Sequence, residues 1–480
     1  VNSGGVQGDS VSICPSISSD GRFVAFVSFA CNLVSEGCNG FSQVFVHNRQ
    51  TGETTVVSKA PNGDLGNYNS MGSDNLPGPA ISQDGRFVAF YSLASNLVNG
   101  DTNNENDVFV HDRQTGETTR VSVSSNGIEG NGSSRYPAIN TDGRFIAFVS
   151  DATNLVGEDT HGFQNVFLHD RVTAQTILVS KKCDGCFGSY AVGISSYPSI
   201  SSDGTYIAFA SNACNLVESD YEGNCEIADI FIYDQQVGQN FLVSLSSSGS
   251  YTNGISNRPS VSGDGRFVAF ESAATNLVSG DTNGLSDIFV RDRQTGQNTR
   301  VSVYSYNGAQ GNGNSNEPRI SADGRFVTFH SLETNLVDGD TQCLRDVFVH
   351  NRETGNTILI SVDNLRNQGN GSSGFPTISG EGQYIAFHSY ATNLVPQDTN
   401  ASTDAFVHRL SSVINGFVQG ISVVKGICRN LTTRETVIIE NPTRNWDCGA
   451  AGLNMNPGAA RAAITARTKA IIPIHLAGLP

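Results

Sequence analysis

The chain is short of positive charge. Its 480 residues hold 29 Lys and Arg against 45 Asp and Glu, a formal charge of −16. So acidic a surface argues against nucleic acid and anionic membranes as partners, and favours solubility and cation binding. No apolar run approaches twenty residues, which excludes a membrane-spanning helix. The short motifs of several enzyme classes are missing too. There is no Gly-x-Ser-x-Gly elbow, no His-Glu-x-x-His and no phosphate-binding loop.

What the chain has is repetition. A marker reading Ser-x-Asp-Gly-Arg-Phe-Val-Ala-Phe recurs with its Asp-Gly step at Asp20, Asp84, Asp142, Asp203, Asp264 and Asp323, and as Glu381-Gly382 in a seventh copy. The spacings are 64, 58, 61, 61, 59 and 58 residues. A fixed period means one supersecondary unit stacked on itself. A residue needed seven times has a structural task, because chemistry needs one site.

Each unit reads as four short strands. In the third copy an apolar run around Tyr136-Pro-Ala-Ile meets an Asp-Gly turn, a strong hairpin signal. Arg144-Phe-Ile-Ala-Phe-Val-Ser, Asn165-Val-Phe-Leu-His-Asp and Thr176-Ile-Leu-Val-Ser follow. The central strands are apolar on both faces, so both faces are covered. Four antiparallel strands per unit, packed between neighbours, make a propeller blade, and seven units predict an all-β, seven-bladed β-propeller of four-stranded antiparallel blades. An open β-solenoid fits the hairpin signals poorly. The marker, followed by Asp-Val-Phe-Val-His-Asp-Arg-x-Thr-Gly, resembles the TolB-like β-propeller repeat over roughly residues 10–410. That resemblance implies the fold. Propellers of this kind serve as binding modules, protease gates and occasionally polysaccharide-degrading enzymes, so it does not assign a function. The chain has no second large domain to hold an α/β-hydrolase, which argues against a propeller-gated peptidase.

Ten cysteines point to an oxidising compartment. Cys31 and Cys214 share one repeat position, and each has a second cysteine shortly after, which predicts Cys31–Cys38 and Cys214–Cys225 loop disulfides. Cys183 and Cys186 read as a structural bridge rather than a redox or zinc motif. Cys428 and Cys448 are expected to pair, and Cys14 and Cys343 have no local mate. The sequence opens at Val1, mid-repeat and without Met, which reads as a mature secreted protein or as a trimmed chain.

Strand order puts the long loops on one face and the tight Asp-Gly and Thr-Gly turns on the other. Ligand or partner contacts are expected on the loop-rich face. Its acidic motif, Asp-Thr-Asn-x-x-x-Asp, has full copies at Asp101/Asn103/Asp107, Asp281/Asn283/Asp287 and Asp398/Asn400/Asp404, the first two preceded by Gly, with a variant at Asp340/Gln342/Asp346. Oxygen ligands at alternate positions suit a structural calcium. The same residues also cap turns by bonding backbone amides. Asn in Asn-Leu-Val recurs in all seven copies and is expected to be a buried side chain bonding loop backbone. His47, His111, His169, His350 and His408 recur by register and read as structural, while His330 and His388 recur after the second strand. Sequons at Asn131, Asn370, Asn400 and Asn430 permit glycosylation.

The predicted domains are a propeller over 1–412 and a small disulfide-bonded C-terminal β-domain over 413–480. The seventh copy lacks the Thr-Gly turn and fourth strand. That strand is expected from residues 413–419, from the terminal segment, or from another subunit by strand addition. The expectation is a secreted, non-enzymatic interaction protein that self-associates, as a homo-oligomer or filament, through its C-terminal segment. One alternative is a monomeric scaffold for glycan or protein on the loop-rich face. A second is a polysaccharide lyase or glycosidase in the central channel.

Overall fold

The computed structural model describes residues 1–410, apart from 72–76, 159, 161, 185, 187–192, 219–226 and 397, together with the backbone of Cys428–Arg429 and Thr436–Val437. Residues 1–410 form one compact unit and 411–480 another. In the second unit, Cys428–Arg429 pairs antiparallel with Thr436–Val437. The expected Cys428–Cys448 and Cys214–Cys225 pairings, the C-terminal β-domain and Asn430 involve residues outside those described.

The first unit is a seven-bladed β-propeller. Six blades are four-stranded antiparallel sheets with strands in sequence order. Blade one comprises Ser12–Ile17, Phe23–Ser28, Gln43–Asn48 and Thr54–Val56. Blade seven has three strands among the described residues: Ser373–Ile378, Tyr384–Ser389 and Asp404–Arg409. Each blade's second and third strands meet through a phenylalanine pair, such as Phe90–Phe109 and Phe148–Phe167, with centroids 5.8 Å apart. The four rings named are fully buried, which is why the central strands are apolar on both faces.

The repeat marker has a physical explanation. Asp84 Oδ1 accepts from Ser82 Oγ at 2.7 Å and from the Arg86 amide at 2.9 Å, fixing the turn. Gly85 sits at φ +73°, and a Cβ there would run into the Phe23 ring of the preceding blade. Arg22 and Arg113, from blades one and two, lie 4.7 and 4.4 Å from the centroid of that ring. The same aromatic-on-glycine contact passes round the whole ring and closes with Tyr384 against Gly21. Asp-Gly-Arg-Phe is therefore a between-blade joint as well as a turn.

A second circle closes at the axis. Ser19 N donates to Gln83 O, Gln83 N to Thr141 O, and so on through Ser202, Gly263, Ala322 and Gly380, whose amide returns to Ser19 O at 3.2 Å. Seven backbone hydrogen bonds thus narrow the channel on the tight-turn face. Above them stands an apolar collar, including Ile17, Ile81, Ile139, Ile200, Ile320 and Ile378.

Candidate binding site at the channel mouth

Every blade carries an X-Pro dipeptide six residues before the Asp-Gly step, within the first strand in six blades and just before Ala80–Ile81 in blade two. X is Cys14, Gly78, Tyr136, Tyr197, Arg258, Glu317 and Phe375. In six blades X has φ between +50° and +56°. Those six strands hold a one-residue bulge at that point, as between Ser196 and Ser199. A side-chain-bearing residue with positive φ is uncommon, and proline disfavours helical backbone before it. Such strain costs on the order of 1–3 kcal/mol and persists only where surroundings enforce it. Bulges re-aim side chains. Here four of the six, Tyr136, Tyr197, Arg258 and Glu317, line a cavity of about 310 Å³ together with Arg319 and others.

These residues touch in series around the mouth. Tyr91 meets Tyr136 edge-on, and Tyr136 stacks on Tyr197 with centroids 5.7 Å apart and planes at 13°. Arg258 lies over Tyr197 at 4.8 Å and pairs with Glu317. Arg319 stands 3.7 Å from the other Glu317 oxygen. The side chain of Arg319 stays 29% exposed and that of Arg258 21%, while that of Glu317 is 4% exposed. Burial lowers the Arg319 pKa to about 10, and the adjacent Arg258 adds to this.

The fifth position of the second strand breaks symmetry beside this ring. It is Val27, Tyr91, Val149 and Ala210 in the first four blades, then Glu271, His330 and His388. Those last three each accept the strained amide of the next blade. Glu317 N donates to Glu271 Oε2 at 2.9 Å, Phe375 N to His330 Nδ1 and Cys14 N to His388 Nδ1, both at 3.4 Å. A histidine accepting at Nδ1 is in its neutral form there. Burial, with Arg345 and Arg258 nearby, holds His330 well below its usual pKa. Burial raises the Glu271 carboxyl against the pull of Arg258. The Phe375 ring lies between the two imidazoles, 5.8 and 5.2 Å away. Sequence reasoning singled out the two histidines but missed the X-Pro ring. Its signal was a proline in constant register after a changing residue.

The acidic loops are arranged differently. In blade two, Asp101, Asp107 and Glu129 bring carboxylate oxygens within 4.8 Å of one another. The Arg120 guanidinium reaches all three. Asn103 directs its amide nitrogen to Asp107 at 3.0 Å, and its oxygen caps the Glu105 amide. In blade five, Arg300 stands 3.4 Å from both Asp281 and Asp287, and Asn283 repeats the cap. In blades six and seven a glutamine amide takes the arginine's place: Gln368 bonds Asp340 and Asp346, and Gln7 bonds Asp398 and Asp404. Asn400 donates to Gly8 O and caps Ser402. In each of these loops an internal donor lies against the carboxylates. Burial, then the neighbouring Asp107, raises Asp101 to about 6, and Asp346 likewise rises to about 6.

The recurring histidines form a joint between blades. His47, His111, His169 and His350 each place Nδ1 2.9–3.0 Å from a fourth-strand Thr hydroxyl. Thr54, Thr176 and Thr357 donate that hydroxyl proton to the Val1, Val123 and Val303 carbonyls. The Asn-Leu-Val asparagines do bond loop backbone: Asn96 accepts from Asn67 N and donates to Leu65 O. Contrary to expectation only Asn215 is buried; the others straddle the loop surface. Cys31–Cys38 and Cys183–Cys186 are disulfides, and Cys214 is disulfide-bonded. Cys343 is exposed and Cys14 buried. Three sequon asparagines hold their amide nitrogens in loop hydrogen bonds: Asn131 to Thr153, Asn370 to Thr392 and Asn400 to Gly8.

Comparison with known proteins adds the following. The profile of the DegT/DnrJ/EryC1/StrS aminotransferase family matches residues 387–480, a fifth of the chain that includes the last strand of the propeller. No curated protein matches. Among solved structures, the chain is similar to an oligogalacturonate lyase in complex with manganese, at 12% identity and TM-score 0.49 over 85% of this chain and 92% of that one. It is similar to TolB from Acinetobacter baumannii, at 14% identity and TM-score 0.37 over 74% and 64%. A prolyl endopeptidase is similar at 12% identity and TM-score 0.47 over 83% and 50%. With its seven blades and their marker, the chain has a TolB-like β-propeller fold.

Proposed function

We propose that the protein is a binding scaffold whose channel mouth, opening toward the loop-rich face, takes a glycan bearing a carboxylate. One observation carries this reading: the run Tyr136–Tyr197–Arg258–Glu317–Arg319 occupies strained bulge positions, or sits beside one, and its members touch in series. Stacked tyrosines offer an apolar face for a sugar ring, and partly open guanidinia suit a carboxylate. A concave site with a few convergent polar groups is the usual form of a ligand pocket. The acids are committed to partners and the two histidines accept backbone amides, which favours holding over proton transfer. The two loop disulfides support an extracellular setting.

The test is calorimetric titration with uronate-containing and neutral oligosaccharides. Binding restricted to the acidic ones, weakened about tenfold or more by Tyr197→Ala or Arg258→Met, is expected; that loss corresponds to ~1.4 kcal/mol. Equal binding by both variants, or turnover of the sugar, would refute it.

Self-association is a second reading. It is favoured by the third strand of blade seven, whose outer edge has no strand paired to it among the described residues.

A further inference from the structure

We propose that the acidic loop of blade six holds a divalent cation of the oxygen-preferring class between Asp340 and Asp346. The inference is independent of the channel site.

Blades two, five and six each carry both acids of the motif and a fourth strand. In blade two, Asp107–Asp112 pairs with Glu117–Arg120 so that Phe109 faces Arg120. The guanidinium then reaches Asp101, Asp107 and the Gly100 carbonyl. In blade five Phe289 faces Arg300 in the same register, and that guanidinium lies against Asp281 and Asp287. In blade six the register is kept, but Phe348 faces Leu359. Asp340 and Asp346 stand where Asp101 and Asp107 stand, and Gly339, at φ +89°, repeats Gly100, at φ +80°. The oxygens that receive the arginine are thus all kept, and the arginine is not. Among the described residues neither Asp340 nor Asp346 forms an ion pair.

The glutamine amide brings no charge. Gln310 in blade five and Gln368 in blade six occupy one position, bridged to Val303 and Val362. Gln310 donates to Asp281 at 3.2 Å beside Arg300, so this donor and a cation share one loop. In blade six Gln368 Nε2 donates to Asp340 Oδ1 at 2.8 Å and to Asp346 Oδ2 at 2.7 Å, and Ser361 donates to Asp346 Oδ1. The shared nitrogen turns the two carboxylates toward one point. One oxygen is left over. Asp340 is 7% exposed, and its buried Oδ2 accepts no hydrogen bond among the described residues. Asp346 is fully buried. Buried charges are paired or coordinate metals, and two carboxylates balance one divalent ion. Carboxylate and backbone carbonyl oxygens are the ligands calcium takes, with water completing its shell.

The experiment titrates calcium chloride into the chelator-treated full-length protein by calorimetry and follows the melting temperature. Saturable binding with a rise in melting temperature is expected. Leu359→Arg restores the guanidinium of blade two, and Asp340→Asn keeps the shape of the side chain it replaces. Each is expected to bind one equivalent of calcium fewer than the parent and to lose part of the calcium-induced rise. A parent that binds no calcium would overturn the proposal. Equal stoichiometry in the parent and Asp340→Asn would overturn it as well, even if Leu359→Arg failed to fold.

Discussion

The backbone amide of Cys14 donates to Nδ1 of His388 at 3.4 Å, joining the first blade to the last across the channel mouth. The bond spans 374 residues of sequence. It belongs to the series Glu271–Glu317, His330–Phe375 and His388–Cys14, in which one blade's side chain accepts the next blade's strained amide. The half of the ring rich in ionisable groups is thus braced by these side chains, and the other half by tyrosine stacking.

Acid should loosen the joints between blades. Burial pushes His111, His169 and His350 each down to about 4. A depressed histidine contributes stability that is present above its unfolded value near 6.5 and is lost as pH falls toward 4. Each contributes a slope of about 1.4 kcal/mol per pH unit in that window. Urea denaturation between pH 7 and 4.5 should show this fall, and His169→Asn should make it less steep. An unchanged slope in the variant would mean that His169 does not titrate with folding.

Glu333 should act with the opposite sign. Six blades place Ala at its position, namely Ala30, Ala94, Ala152, Ala213, Ala274 and Ala391. Glu333 is 1% exposed, and burial raises its carboxyl to about 8 although Ser315 donates to it at 2.7 Å. A raised carboxyl contributes stability that is full below the unfolded value near 4.5 and is lost as pH rises through 8. Glu333→Gln should therefore be more stable than the parent at pH 8 and should lose that part of the pH dependence. Equal stability at pH 8 would rule this out.

Arg120 should behave as the internal cation of blade two. Removing one partner of a buried ion pair costs about 3–5 kcal/mol, so Arg120→Ala should lower the melting temperature markedly. It leaves Asp101, Asp107 and Glu129 facing one another, and calcium should recover part of the loss. A calcium shift as large in the parent as in the variant would assign the site to the metal instead.

Two glycines separate backbone strain from packing. Gly116 has φ +77° and open space where a methyl group would stand, whereas Gly143 has φ +73° with the Phe87 ring in the way. Gly116→Ala should cost about 1–2 kcal/mol. Gly143→Ala should cost roughly 2–5 kcal/mol, because overpacking adds to the strain. Equal losses in urea denaturation would remove the between-blade contact as the reason for Asp-Gly.

The blades were legible because their signals are local. Asp84-Gly85 makes a turn whatever surrounds it, and Phe87-Val88-Ala89-Phe90 is apolar on both faces in any context. Cys31 and Cys38 lie seven residues apart on one loop, so their pairing was legible too. The acidic motif was visible, but Arg120, Arg300, Gln368 and Gln7 were not. They come from the following fourth strand or from the loop leading into the next blade, and only folding brings them to the carboxylates.

The sequence by itself determined the seven-fold period, the blade and the polarity of its two faces, because turn chemistry and strand alternation act over a few residues. Tertiary structure alone decided where the repeat becomes a site. Tyr136, Tyr197, Arg258 and Glu317 are about sixty residues apart, and each is simply a residue before proline until ring closure sets them side by side. The physical reason is that a bulge fixes where one side chain points, whereas a pocket needs several such directions to converge, and that convergence depends on the closure of the whole ring.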